Sequence, residues 1–231
     1  MRARAGVTVL PPTRLVDLRS ESPLTLRWAD GCLYVVGSAF APLGGDELEL
    51  DVTVEAGATL TVRTVAASVA QPSPDGRPSR LTVTARVADG ATLHWLPEPG
   101  IAATGAVHHS HTRLDLAATA QVVWREEVIL GRHDEPGGEW HSHLDVQLGG
   151  APLLRQDTAA GGPHWRSPAV AAGARASGTL LVVGPTAPTK PGVLRAERDA
   201  YAAVMPLGSR PGAALTSALA PTARTLRRLL E

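Results

Sequence analysis

The sequence predicts a mainly β protein, an irregular, β-helix-like stack of short-stranded sheets with a short C-terminal helix. Leu48, Leu50, Val52 and Val54 alternate with polar residues, and a strand turns successive side chains to opposite faces. A Gly57-Ala58 corner then releases a second alternating run, Leu60 and Val62, and the same corner-and-strand unit recurs along the chain. Ala58, Ala91, Ala120 and Ala151 stand 33, 29 and 31 residues apart, the spacing of stacked units each too small to bury its own apolar face. No helical periodicity precedes the last dozen residues. A β-sandwich, with its short strands and frequent turns, is the alternative.

Each element has its own local reason. Asp30-Gly31-Cys32-Leu33-Tyr34-Val35-Val36 alternates as a strand after a turn. Gly44-Gly45-Asp46 is a turn that opens the first long strand, where Asp46 is suited to accept backbone N–H groups. Leu81 to Leu93, Leu114 to Val123 and Leu144 to Leu154 repeat the pattern, with Gly90-Ala91 in the place of Gly57-Ala58. Gly178 to Gly184 is a continuous apolar run, as expected of a buried strand, and Tyr201 to Leu207 and Ala213 to Ala220 read as further strands. Pro221 suits the first position of a helix. Leu226, Leu229 and Leu230 then share one side of that helix, opposite Arg224, Arg227 and Arg228. The leucine face either docks on the chain's own sheet or fills a groove of a partner.

Composition bounds the function. With 231 residues and no linker-like stretch, one domain over 1–231 is expected. The formal net charge is zero, which points away from nucleic acid and anionic membrane surfaces. Pro11-Pro12 cuts the apolar run Val7–Leu10, so no signal peptide is expected. No run of about 20 apolar residues spans a bilayer. The expected compartment is the cytoplasm. The single cysteine, Cys32, excludes an internal disulfide and reads as a small strand residue. The sequence holds no G-x-S-x-G elbow, no phosphate-binding loop and no H-E-x-x-H, so no enzyme class is indicated.

Histidines are the sharpest local signal. His108-His109-x-His111 and His141-x-His143 place imidazoles at i and i+2, where two can share a metal from one strand face. His109 and His111 are the preferred contacts. A β-rich metal- or ligand-binding module built on the His108–His111 and His141–His143 clusters is therefore one functional reading; solvated surface histidines are the plain one.

A second reading comes from wording. The chain carries Gly44-Gly45-Asp46, then Gly57-Ala58-Thr59-Leu60-Thr61-Val62-Arg63-Thr64-Val65-Ala66-Ala67, Leu93-His94-Trp95-Leu96-Pro97, Gly131-Arg132 and Gly138-Glu139. In this order and spacing the set resembles the urease accessory proteins of the UreD (UreH) type. Departures fall at Ala39-Phe40-Ala41-Pro42-Leu43, where the family runs Pro-Pro-Gly-Gly, and at Glu98-Pro99-Gly100 after the Trp-Leu-Pro. The resemblance implies a scaffold and not an enzyme. It would bind apo-urease and the helical partner UreF, through which the GTPase UreG is recruited. GTP hydrolysis is coupled to placing nickel at a carbamylated lysine of urease. No cofactor would be held tightly; nickel would pass in transit, which carboxylates and carbonyls suit better than a tight Cys/His cage.

The candidate path residues are Asp46, Glu126, Glu127 and Glu139, with His109 and His111 as transient contacts. One of Glu126 and Glu127 must face inward if the strand is regular, and a buried glutamate needs a partner, Arg125 or Arg132. Leu226, Leu229 and Leu230 are the candidate partner contacts. An all-β stack with open edges is expected to be poorly soluble when expressed without its partners.

Overall fold

The computed structural model describes residues 1–197, 199–208 and 212–231. Two sheets face each other across an apolar interior that divides into two clusters, the larger around Leu50, Leu93 and Trp124 and the smaller around Val128, Leu130 and Trp140. In chain order the elements are β1 (Arg2–Leu10), β2 (Arg14–Arg19), β3 (Leu24–Ala29), β4 (Cys32–Gly37), β5 (Glu47–Val54) and β6 (Thr59–Thr64). Next come β7 (Ser68–Ala70), β8 (Ser79–Val87), β9 (Thr92–Trp95), β10 (Gly100–Ala102), β11 (Val107–Leu116) and β12 (Gln121–Leu130). The remainder is β13 (Glu139–Leu148), β14 (Ala151–Ala160), β15 (Ala176–Val183), β16 (Gly192–Glu197), β17 (Ala200–Pro206), β18 (Ala213–Ala220) and α1 (Ala223–Leu230).

The first sheet has seven strands in the order β14-β13-β11-β8-β5-β1-β2, and the second runs β16-β17-β18-β15-β12-β9-β6-β4-β3. Within each, the central strands are parallel: β1, β5, β8, β11 and β13 in one, β4, β6, β9 and β12 in the other. The chain thus steps from the first sheet to the second and back, one rung per repeat, which is the expected β-helix-like stack. Glu47 pairs with Arg80 and Ser79 with His108, so the ladder advances by the same 33 and 29 residues as the alanines in the sequence.

The corners explain those alanines. The N–H groups of Ala58, Ala91 and Ala120 each donate to the carbonyl three residues before, at 2.9, 3.1 and 3.1 Å. Their side chains are buried, and only a small residue fits inside so tight a bend. Consecutive corners are also tied to each other, Thr92 N–H to the Ala58 carbonyl and Gln121 N–H to the Ala91 carbonyl, both at 2.9 Å.

The fourth repeat breaks the pattern. Ala151 is not a corner, because Gly149 and Gly150 both take positive φ, 58° and 77°, and close a two-residue hairpin. β14 therefore folds back antiparallel on β13 in the same sheet and never crosses. The N-terminal run that sequence reasoning examined only as a leader is a strand: β1 lies parallel to β5, with Ala3, Ala5, Val7 and Val9 buried.

Between the sheets, Leu50, Val52, Leu60, Leu93, Leu114, Val122 and Leu181 are buried, and Trp95 stacks on Trp124 with ring centroids 4.6 Å apart. Each fully buried aliphatic side chain of this kind is worth about 1.5–3 kcal/mol of transfer free energy. The helix forms a separate core on the outer face of the second sheet. Leu226, Leu229 and Leu230 pack on a floor of Ala176, Ala200, Ala202, Ala218 and Ala220. Gly178 lets them approach, since a Cβ there would stand 2.9 Å from Leu230 and 3.2 Å from Leu226. The leucine face is thus spent inside the chain, and docking on its own sheet is the arrangement observed. The helix begins two residues later than expected, at Ala223: Thr222 is the cap, its hydroxyl accepting from Thr225 N–H at 3.2 Å, and Pro221 precedes it.

Candidate functional site

β11 and β12 face each other across the core and carry most of the candidate residues. On β11, Leu114 and Leu116 point inward, so His108, Ser110 and Thr112 do as well, while His109 and His111 point out. On β12, Trp124, Glu126 and Val128 face the first sheet, and Arg125 and Glu127 face away from it.

The inward groups line a cavity of about 470 Å³ between the sheets, bounded by Trp95, Trp140, His108, Ser110 and Glu126. Its wall continues to Phe40 and Val65, which are 69% and 58% exposed, so the space reaches the surface through an apolar rim. The His108 ring lies 4.1 Å from Trp140, its Nδ1 is 2.8 Å from the Ser79 hydroxyl, and its Nε2 has no partner. Burial, reinforced by neighbouring His109, pushes the His108 pKa down to about 3, leaving a neutral imidazole. Glu126 Oε1 accepts from Thr112 Oγ1 and from Trp124 Nε1, each at 3.0 Å. Burial pushes the Glu126 carboxyl upward, against those two hydrogen bonds. Of the adjacent pair Glu126 is the one that faces inward, and neutral donors satisfy it, not Arg125 or Arg132.

Glu127 is buried for a different reason: α1 covers it. Arg227 Nε reaches both of its oxygens at 3.1 Å, and Arg227 Nη1 lies 3.2 Å from Glu98. Arg125 Nε stands 3.6 Å from Glu127 and Arg125 Nη2 donates to the Pro97 carbonyl. The Arg227 guanidinium, hydrogen-bonded to Glu127 and Glu98, is held well above its ordinary pKa, whereas burial lowers that of Arg125. Arg132 pairs with Glu135 at 2.9 Å and holds that carboxyl down near 2.

Asp46 serves its turn. Its Oδ2 accepts from Leu43 N–H at 2.8 Å and its other oxygen pairs with the Met1 amino group. Gly44 is required there, because a Cβ would stand 2.4 Å from the Arg77 carbonyl, and Gly45 has φ of 87°.

The outer face of the first sheet gathers the other histidines. His109 pairs in register with His141, and His111 with His143, on the parallel strands β11 and β13. Ring centroids are 5.0 Å apart for the first pair and 5.8 Å for the second, while His109 and His111 on one strand are 6.3 Å apart. Glu139 Oε2 is 3.3 Å from His141 Nε2, and Asp157 Oδ1 is 2.7 Å from His143 Nδ1.

The six expected path residues therefore do not share one site. Asp46 lies in a turn, Glu126 and Glu127 both line the cavity, Glu127 where α1 covers it, and Glu139, His109 and His111 lie on the outer face. Among the described residues no three imidazole, thiol or carboxylate groups are placed to hold one metal ion. Sequence reasoning counted His108 in the histidine cluster but not as a core residue, and missed the roles of Ser79, Glu98 and Arg227. The signal for His108 was present, since it shares its phase with Leu114 and Leu116; nothing local marks Arg227 as the partner of Glu127, 100 residues away. Among the described residues no helix is long and apolar enough to cross a membrane.

Comparison with known proteins adds a family. The family model described as UreD urease accessory protein matches residues 2–231. A protein of Saccharopolyspora erythraea named urease accessory protein UreD 2 is 43% identical, over 98% of this chain and 81% of its own length. A Streptomyces griseus protein named urease accessory protein UreD 3 is also 43% identical, over 100% of this chain and 93% of its own. The urease accessory protein UreD of a Parafrankia species is 40% identical, over 100% and 87%.

Proposed function

This chain belongs to the UreD family of urease accessory proteins, and on that premise we propose that it is a non-catalytic scaffold of urease maturation in the cytoplasm. In this reading it binds apo-urease and UreF, recruits the GTPase UreG through UreF, and supports GTP-dependent insertion of nickel into urease. The observation that carries it is the family match along residues 2–231.

The cavity between the sheets suits the passage of a cation more than its storage. Nickel is a borderline cation that takes imidazole nitrogen and carboxylate oxygen. The cavity offers one imidazole nitrogen without a partner, on His108, and the Glu126 carboxyl; Glu127 and Glu98 also reach its wall but are held by Arg227. Two donors are fewer than the four of a closed structural site, so a bound ion keeps exchangeable water. The exposed Phe40 and Val65 at its rim give a protein partner apolar surface to cover beside the opening.

Co-expression with tagged UreF, UreG and apo-urease from the same genome tests the reading. The expected result is retention of this chain through UreF and urease activity that requires both GTP and nickel. A chain that stays free of all three partners would overturn the scaffold assignment. The His108→Leu/Glu126→Leu double variant separates the two parts: it is expected to enter the complex and fail to activate urease, and full activation would discard the cavity as the route.

A further inference from the structure

We propose that the open edge of β14 takes an extended segment of a partner protein as an added strand of the first sheet, laid over an apolar floor that the second sheet leaves uncovered. The inference stands on the sheet architecture and does not rest on the urease reading.

β14 is the last strand of its sheet, bonded to β13 on one side and to no other strand among the described residues. It is also the longest of the four edge strands, ten residues against six in each of β2, β3 and β16. From Leu154 to Ala160 its register with β13 is unbroken, whereas β2 joins its neighbour through a register shift. Short or bulged edges resist strand addition, and a long regular one presents a row of backbone N–H and C=O groups to an incoming chain.

The floor comes from a mismatch between the sheets. β14 sets Gln156, Thr158 and Ala160 over Ser177, Gly178 and Thr179 of β15, and the second sheet then runs on through β18, β17 and β16. One face of that extension lies under α1, on Ala200, Ala202, Ala218 and Ala220. The other face carries Tyr201, Ala203 and Met205, with Leu219 paired to Tyr201 and Val193 paired to Ala203. Tyr201 and Met205 are each 39% exposed and Val193 is 72% exposed. The Arg195 guanidinium lies 5.1 Å from the Tyr201 ring centre. Strands in a sheet lie about 4.8 Å apart and facing sheets about 10 Å apart, so a strand added to β14 would hold its inward side chains at packing distance from this floor.

These features choose the occupant. Residues at every second position face the floor and must be apolar, as in recognition by strand addition. Those in the other phase lie beside Asp157, whose exposed carboxylate meets the His143 imidazole at 2.7 Å, so a lysine or arginine there is favoured. A second copy of this chain fits less well. The two-fold axis that would pair one β14 with another lies normal to the sheet, and the overhanging strands of both second sheets would enter the same space.

Fluorescence anisotropy with the purified chain tests the proposal. The probe is a labelled synthetic peptide as long as β14 that alternates valine with threonine and carries lysine in the threonine phase. Its control has the same composition, scrambled to break the alternation. The alternating peptide is expected to bind tighter by roughly tenfold or more. Two further peptides carry N-methyl groups on alternate residues, one peptide in each phase, so that each loses the donors of one edge. Methylation of the edge that meets β14 is expected to weaken binding by roughly tenfold or more, and methylation of the other edge to leave it nearly unchanged. On the chain, Met205→Glu and Asp157→Lys are each expected to weaken binding. Where either variant lacks the wild-type circular dichroism spectrum, the methylated peptides on the wild type decide. Equal binding of the scrambled peptide, equal binding of both methylated peptides, or a chain that dimerises and excludes the probe would overturn the proposal, whatever the outcome with urease.

Discussion

The parallel stack and the antiparallel C-terminal half solve the same burial problem in opposite ways. From β5 to β12 each strand meets a strand of the other sheet, and the interface is filled by Leu50, Val52, Leu60, Leu93 and Val122. Apart from Glu126 and Glu127 at the cavity, charge there stays on the outer faces, as with Arg4 beside Asp51 or Arg113 beside Asp115. After β13 the rungs stop: β14 folds back, and β15, β18 and β17 extend one sheet alone. The chain covers that extension with α1, and the cover closes over a charged row, Arg125, Glu127, Arg227 and Glu98. A repeat buries apolar faces by stacking; the end of a repeat needs a cap, and this cap is fastened by ions.

The largest expected effect lies in that fastening. The Glu127 side chain is 1% exposed, and Arg227→Ala removes its main partner while leaving Arg125 at 3.6 Å. Stranding a buried charge in this way costs about 3–5 kcal/mol. Urea denaturation should show that loss. A single-variant loss below about 0.5 kcal/mol, the level of an exposed pair, would mean that the leucine face alone fastens α1.

Much of the stack was legible in the sequence because its physics is local. Period-two alternation marked β5, β6, β8 and the ends of β11 and β12. The Gly-Ala corners set the rung length because the bend admits only a buried methyl at Ala58 and Ala91. The same counting failed at Ala151, where the deciding feature was the Gly149-Gly150 pair, a hairpin signal within plain sight of the repeat. For the site, phase mattered more than residue type. His109 and His111 attracted attention as ligands, while His108, in step with Leu114 and Leu116, was the imidazole that entered the core. The Arg227–Glu127 contact and the cross-strand His109–His141 pair depend on which strands become neighbours, and no short-range pattern encodes that.

A smaller, pH-dependent effect tests whether the interior between β11 and β12 tolerates charge as the cap does. Burial raises the folded-state pKa of Glu126 above its ordinary value of 4.5, so folding favours the protonated acid. Its contribution is full below the unfolded pKa and is lost as pH rises through the folded value. Gln keeps a carbonyl oxygen for the Trp124 and Thr112 donors and cannot ionise. Glu126→Gln should therefore match the wild type near pH 4 and become the more stable protein toward pH 7, by a margin that widens with pH. Denaturation midpoints across that range would show it, and a gap independent of pH would place solvent or a counter-charge beside Glu126.

The smallest effect concerns the corners. At the third one Thr119 stands where the earlier corners have Gly57 and Gly90, and it replaces their conformational freedom with hydrogen bonds to the rung before. Its hydroxyl accepts from Gly90 N–H at 2.9 Å and donates to Asp89 Oδ1 at 2.8 Å. These groups are exposed, so water can substitute for the lost partner, and Thr119→Ala should cost about 0.5–1 kcal/mol, the low end for a hydrogen bond. The backbone bonds that tie corner to corner, such as Gln121 N–H to the Ala91 carbonyl, remain in the variant. Amide exchange should quicken at Gly90 and stay slow at Gln121. Fast exchange at both would show that the rungs are held at their corners by side chains, and the stack would then resemble the cap in depending on polar fastening.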